Sequence, residues 1–305
     1  MTELSTIAIV GAGAIGCYYG GRLAQHGCAV HFLFRSGYDN AKSNGLVVKS
    51  PDGDFTIAPD KLNAHRDARE MPRVDLVIVT LKTTANDQYE NLIAPLLGES
   101  TMILTLQNGL ANEDRLAELF GADRVLGGLA FVCVNRLKDG TICHMDHGQI
   151  KMGEFSSPPR ERTRKIAELF VASKVPCTVL ESLAYGRWEK LVWNVPFNGL
   201  GAALDKTTDQ LLASPHGLSL VRGLMGEIMA TANALGHKLP ESLPERRISD
   251  TRTMGAYRTS MQVDRQEKRP LECEAILGKP LAAARAAGVS TPYLAMLYDM
   301  VSLLT

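Results

Sequence analysis

What the chain lacks narrows the field first. It has no excess of either charge: Lys plus Arg number 33 and Asp plus Glu also 33, so no overall field draws nucleic acid or an anionic membrane, and neither is expected as a partner. No stretch approaches the roughly 20 uninterrupted apolar residues of a membrane span. No basic-then-apolar leader precedes the first strand-like run, so a cytoplasmic enzyme is expected. The six cysteines, Cys17, Cys28, Cys133, Cys143, Cys177 and Cys273, have no Cys-x-x-Cys spacing, which implies reduced, mostly buried thiols and no disulfide framework. Cys143, His144 and His147 invite a metal reading, but no second cluster supplies the remaining ligands of a closed site. A polar turn between two strands is expected there instead, and no metal. Long linkers and internal repeats are also missing.

With 305 residues, 45% apolar and 22% charged, the chain has the make-up of an ordinary soluble protein, long enough for two domains with real cores. The most informative segment is the first 35 residues. An apolar run at 7–10 enters Gly11-Ala12-Gly13-Ala14-Ile15-Gly16, and a second mostly apolar run at 29–34 ends at Arg35. This order predicts strand, glycine turn, helix, strand. Gly11 suits a tight bend, Gly13 lets backbone amides approach a pyrophosphate, and Gly16 lets helix pack on strand. An ordinary strand-helix turn would not require three glycines at this spacing. Gly11, Gly13, Ala14, Ile15 and Gly16 are therefore the expected cofactor-binding residues, with the positive end of the helix facing the phosphates. An NAD site usually carries Asp or Glu about 20 residues on. Here Arg35 stands at the end of the second strand, and a guanidinium pairs with phosphate bidentately, which argues for NADP; the plainer alternative is an exposed arginine after a strand.

Further along, Pro51-Asp52-Gly53 is a turn between two short extended runs. Residues 74–80 and 101–106 are predicted as buried parallel strands, with helices at 85–97 and 112–120. Residues 125–134 and 141–153 are predicted as two more strands, followed by a helix at 160–172 and an extended run at 175–180. Strands alternating with crossover helices predict an α/β fold, an N-terminal Rossmann-type doubly wound, mostly parallel sheet. Its ligand is expected beyond the carboxyl ends of the strands, where residues 11–16, 80–84 and 106–110 emerge. From Leu183 onward the pattern is helical, with helices predicted at 183–200, 219–235, 271–287 and 292–304. The domains are accordingly expected at 1–181 and 182–305, the second all helical, with the active site in the cleft between them. The helical half also offers a surface for a homodimer.

Lys190, Asn194 and Asn198 are spaced i, i+4, i+8, so on a helix they make one polar stripe among Leu191, Val192, Trp193, Val195 and Phe197. Buried polar groups need partners, and a substrate can be that partner. Pro196 is expected to kink the helix near Val192. The plainer alternative has Lys190 snorkelling to water and the asparagines capping nearby loops.

Taken in order, Gly11-x-Gly13-x-x-Gly16, Lys82 after its strand, Asn108-Gly109, Lys190-x-x-x-Asn194-x-x-x-Asn198, Ser260-Met261-x-x-Asp264 and Glu272 make the chain similar, over essentially its whole length, to the ketopantoate reductases. That resemblance implies NADPH-dependent reduction of a small 2-oxo acid, ketopantoate, to pantoate for pantothenate and coenzyme A synthesis. It implies Lys190 as general acid and Asn194, Asn198 and Ser260 as holders of the ketoacid. It implies Glu272 on the substrate hydroxyl and helping place Lys190, Asn108 on the nicotinamide side, Lys82 and Arg35 on the cofactor, and Asp264 supporting the substrate segment. The chemistry agrees independently: hydride arriving at a carbonyl carbon leaves negative charge on oxygen, which a positioned ammonium stabilises and protonates. A lysine with an ordinary pKa of about 10.4 is charged at neutral pH and ready to donate. Glu272 also has another reading, since after Pro270 it falls in a first helical turn where a carboxylate favours the dipole, as does Glu274.

The chain departs from the family pattern at Gly199-Leu200-Gly201-Ala202, where many members carry Pro-Leu-Thr after the asparagine, and at Glu272, where Asp is common. Reaction type therefore follows more directly than substrate identity. A paralogous reductase of another 2-oxo acid or an imine stays open, as does an NADP(H) sensor without turnover, although a sensor has no need of the full polar set.

Overall fold

The computed structural model describes residues 4–305; the expectation that no leader precedes the first strand falls partly on residues 1–3, outside the described residues. The chain divides into two compact units, residues up to Gln107 with Asn112–Leu183, and Asn108–Ala111 with Ala184–Thr305.

The first unit holds one sheet, built from β1 (Thr6–Val10), β2 (Ala29–Leu33), β3 (Leu46–Lys49), β4 (Phe55–Ile57), β5 (Asn63–His65), β6 (Val74–Val79), β7 (Leu97–Thr105), β8 (Val125–Arg136), β9 (Ile142–Glu154) and β10 (Cys177–Val179). Their order is β4-β3-β9-β8-β7-β6-β1-β2-β5, with β10 beside β9. Among the described residues only the β3/β4 and β8/β9 pairs are antiparallel. Its helices are α1 (Ala14–His26), α2 (Tyr38–Asn44), α3 (Tyr89–Ile93), α4 (Asn112–Phe120) and α5 (Glu161–Ala172).

The continuous apolar runs of β1 and β6 follow from helices on both faces. Ile7, Ile9, Leu76 and Ile78 point into the core that includes Cys17, Tyr19 and Phe170, while Ala8, Val10, Val77 and Val79 point into the one that includes Tyr89, Ile93 and Leu116. From β1 the chain steps to β2 on one side and later to β6 on the other, so the carboxyl ends of β1 and β6 frame a switch point.

Two expectations fail locally. The helix predicted over 85–97 is broken into a 3-10 turn at Thr83–Gln88, α3, and another 3-10 turn at Ala94–Leu96, because Pro95 and the polar stretch before Tyr89 do not sustain one helix. The polar turn predicted over Cys143 to Gly148 lies inside β9. The pairing of β8 with β9 shifts register twice, and His147 (φ 63°) and Gly148 (φ 117°) take left-handed backbone, so turn-type residues are used in a bulged strand. The hairpin turn falls earlier, between Arg136 and Ile142, where Leu137 and Thr141 share a backbone hydrogen bond.

The second unit is helical: α6 (Leu183–Leu204), α7 (Thr208–Ala213), α8 (Pro215–Ala234), α9 (Leu243–Thr253), α10 (Ser260–Gln266), α11 (Lys279–Ala286) and α12 (Pro292–Ser302), with a π-helical turn, Glu274–Gly278, leading into α11. α6 runs on through Pro196. Its Leu191, Val192, Val195 and Phe197 share one core with Val221, Leu224 and Ile228 of α8 and Leu294 and Leu297 of α12. No helix among the described residues is long and apolar enough to cross a membrane.

Candidate active site

In the first unit the glycine turn sits at the end of β1. Gly11 has φ 100°, and a Cβ there would lie 2.7 Å from the Leu81 nitrogen, so both backbone shape and space demand glycine. A Cβ on Gly16 would meet Thr80 Oγ1 at 2.5 Å and Ile9 at 2.7 Å, which is the close helix-strand packing expected there. Gly13 differs: its Cβ would have only the Gly11 carbonyl near it, 3.8 Å away, and the residue is exposed. Gly13 is also the N-cap of α1 and supplies no side-chain cap. The exposed start of a helix, with amides that no side chain caps and a glycine in front of them, fits an approaching pyrophosphate. Thr80 fixes the turn from β6 by donating its hydroxyl to the Gly11 carbonyl at 2.7 Å. Arg35 is exposed just past β2, and Lys82 is exposed just past β6.

In the second unit the stripe on α6 is buried: Lys190 is 7% exposed, Asn194 4% and Asn198 3%. The snorkelling alternative therefore does not describe Lys190. Its ammonium donates to Asn108 Oδ1 at 2.9 Å. Asn108 is placed by the Asn108–Ala111 segment, in which Leu110 N–H donates to the Ala275 carbonyl of the π turn at 3.0 Å. Gly109 (φ 82°) permits that contact, since a Cβ there would stand 2.3 Å from the Ala275 oxygen. Among the described residues neither Asn194 nor Asn198 has a side-chain hydrogen-bond partner, which leaves two buried amides available to a ligand.

The expectation of an ordinary, fully charged lysine is overturned. The Lys190 pKa is pushed down to about 7, by burial first and by the nearby Arg187 charge second, with the Glu272 carboxylate pulling the other way. Glu272 is itself buried, 4% exposed, just before the π turn. Glu274 faces outward within that turn and accepts from the Tyr298 hydroxyl at 3.0 Å. The two carboxylates thus separate, one beside a buried cation and one at the surface.

Ser260 is the exposed first residue of α10, capped by Thr259. Asp264 is buried on the same helix, and its carboxylate accepts from Arg269 Nε at 2.9 Å, which ties the end of α10 to the chain leading to Glu272. Two residues went unremarked in the sequence. Arg187 is 4% exposed and stands three before Lys190; that i, i+3 spacing was the available signal. Arg136 reaches the glycine turn from 124 residues away, with no local signal at all. Among the described residues no group of three or more His, Cys, Asp or Glu could hold a metal ion.

A doubly wound sheet with a glycine turn, followed by a helical unit carrying a buried lysine, defines a dinucleotide-dependent reductase class. The family models for ketopantoate reductase PanE/ApbA and for its C-terminal region match residues 7–157 and 182–305. A 2-dehydropantoate 2-reductase from Nostoc sp. (strain PCC 7120) is 41% identical over 302 residues, covering 97% of this chain and 94% of that protein. The crystal structure of a 2-dehydropantoate 2-reductase from Geobacter metallireducens GS-15 is 45% identical with TM-score 0.96, covering 98% of this chain and 100% of that one. A D-mandelate dehydrogenase solved with NADH and anilino(oxo)acetate has the same fold at 22% identity, TM-score 0.88, covering 98% and 97%. The chain belongs to the ketopantoate reductase PanE/ApbA family of oxidoreductases.

Proposed function

We propose that the chain reduces 2-dehydropantoate (ketopantoate) to pantoate with NADPH, the step that supplies pantoate for pantothenate and coenzyme A synthesis. The observation that carries this reading is the buried Lys190 ammonium, aimed by Asn108 Oδ1 and opposed in charge by Glu272. Residues Gly11, Gly13, Ala14, Ile15 and Gly16 would hold the pyrophosphate, Arg35 the extra phosphate, and Lys82 another part of the cofactor. When bound, the reduced nicotinamide supplies the hydride for the carbonyl carbon.

The remaining chemistry belongs to side chains. Lys190 donates its proton to the carbonyl oxygen as negative charge develops there, and afterwards takes a proton back from solvent. A pKa of about 7 suits that role, because the group gives up a proton readily yet is still substantially charged at neutral pH. Asn108 accepts one N–H of the ammonium and so fixes its direction. Asn194, Asn198 and Ser260 offer neutral donors and acceptors to carboxylate and hydroxyl oxygens. Glu272 accepts from the substrate hydroxyl, and its charge keeps Lys190 protonated to higher pH than burial alone would allow. We place the two functional domains at 1–181 and 182–305.

The test is NADPH and NADH oxidation across a panel of 2-oxo acids. Preferred turnover of ketopantoate with NADPH is expected. Preference for another acid with ketopantoate inert would reject the narrower reading in favour of a paralogous reductase, and tight NADPH binding with no turnover on any acid would favour a sensor. A homodimer is the finer partner reading, supported by Tyr293, Met296, Met300 and Leu303, exposed at helical spacing along the C-terminal end of the chain. Light scattering of wild type and Met296→Glu checks it, and a wild-type monomer at micromolar concentration would reject it.

A further inference from the structure

We infer that Arg136 is a positioning residue for the cofactor, a guanidinium clamp joining the two peptides on which the dinucleotide is held. The inference rests on the reading of Gly11 to Gly16 as a dinucleotide site. Arg136 is the last residue of β8. Its Nη2 donates to the Ala12 carbonyl, in the middle of the glycine turn, and its Nη1 donates to the Ser36 carbonyl at 3.2 Å, one residue past Arg35. Nη2 also lies 3.2 Å from Cys17 Sγ, one turn into α1. One planar group therefore fixes the spacing between the turn that faces the pyrophosphate and the segment that carries the candidate phosphate-binding arginine.

The surroundings favour a clamp over chance contact. Arg136 is held from behind by the β8/β9 ladder, where it pairs with Ile142, so the guanidinium projects from a strand and not from a loose loop. Its cation lies 5.8 Å from the centre of the Phe34 ring. Gly37 (φ 82°) clears its path, for a Cβ there would stand 3.0 Å from Nη1. Burial outweighs the neighbouring cation and raises the Cys17 pKa, so the thiol stays protonated and adds a weak donation to the same Ala12 carbonyl at 3.5 Å. A guanidinium cannot lose its charge at any working pH, so this tie does not titrate. A cavity of about 250 Å³, lined by Cys17, Phe34, Ser36, Asn40, Arg136 and Lys138 among others, lies beside it. The Arg136 hydrogen bonds act beside the tight packing at Gly11 and Gly16 in setting the turn.

Because the Ala12 carbonyl lies in the turn that any nicotinamide dinucleotide would use, loss of the clamp should weaken binding of both cofactors, with or without the extra phosphate. Fluorescence titration of the full-length protein with NADPH and with NADH tests it. Arg136→Ala is expected to raise both dissociation constants about tenfold, in line with loss of charge-assisted hydrogen bonds. Arg136→Lys is expected to recover part of the loss, since one ammonium keeps the charge but does not match the planar fork. The KM for the 2-oxo acid and the alkaline limb governed by Lys190 should stay where they are while the cofactor KM rises, a split that general loosening of the fold would not give. Unchanged dissociation constants in both variants would overturn the clamp. So would a loss confined to NADPH, which would make Arg136 a direct phosphate ligand. Should Arg136→Ala fail to fold, Arg136→Lys carries the same test. A wild type that binds neither dinucleotide would sink the reading of the glycine turn itself, a result distinct from failure of Arg136 alone.

Discussion

The glycine turn and the lysine stripe are built on opposite principles. At the turn, almost everything that matters is backbone: the φ of Gly11, the lack of a Cβ at Gly16, the amides beyond Gly13. On α6, almost everything that matters is side chain, and its value comes from where the side chain is buried. A turn made of backbone is fixed by shape, and at Gly11 and Gly16 there is no room for an added atom. A site made of a buried cation is tuned by its neighbours, and it changes by degrees as their charges change. The contrast sets how hard each region can be pushed.

The largest effect is expected at the stripe. Lys190→Ala should lower kcat/KM for the 2-oxo acid by about 10²–10⁴, the range of a lost general acid, while NADPH binding by fluorescence is retained. Wild-type turnover in that variant would remove Lys190 from the chemistry. Next comes shape at the turn: Gly16→Val puts a branched side chain where a Cβ alone lies 2.5 Å from Thr80 Oγ1. Cofactor affinity should fall about a hundredfold or more, and a Kd within threefold of wild type would break the backbone account. Arg35→Asp is a smaller and more selective change. NADPH should weaken at least tenfold more than NADH, and equal losses would mean that Arg35 does not read the extra phosphate.

The smallest effect sharpens the contrast most. Under the proposed mechanism the amine must be protonated, so kcat/KM should be present below a pH of about 7 and decline as pH rises through it. The Glu272 carboxylate raises the Lys190 pKa, so Glu272→Gln should move that limb to lower pH. A limb that stays put, or moves up, would show that Glu272 does not feel the Lys190 charge.

The same contrast decides what could be read from the sequence. Backbone requirements write themselves as residue types, so the glycine turn, β1, β6 and the helical second half were legible from spacing and apolar period. The stripe was legible as a pattern because i, i+4, i+8 is a helical repeat. Its pKa was not, since it depends on burial in a core assembled from distant segments and on the charges of Arg187 and Glu272. The single helix expected over 85–97 failed where Pro95 outweighed a weak apolar period. The turn expected at Cys143 to Gly148 failed because left-handed residues serve a bulge as well as a bend. Arg136 was invisible because its bond to Ala12 spans 124 residues.

The π turn ahead of α11 has a consequence for how this region can vary. It holds one residue more than an α-helical turn of the same rise would need, so it acts as a phase step between Glu272 and everything from Lys279 onward. Deleting a single residue there would leave α11 intact but rotate it by roughly 100° against Glu272 and the chain before it. The carbonyl that anchors Leu110 would swing away with it. Length in this short stretch should therefore be under tighter constraint than the identity of its aliphatic side chains.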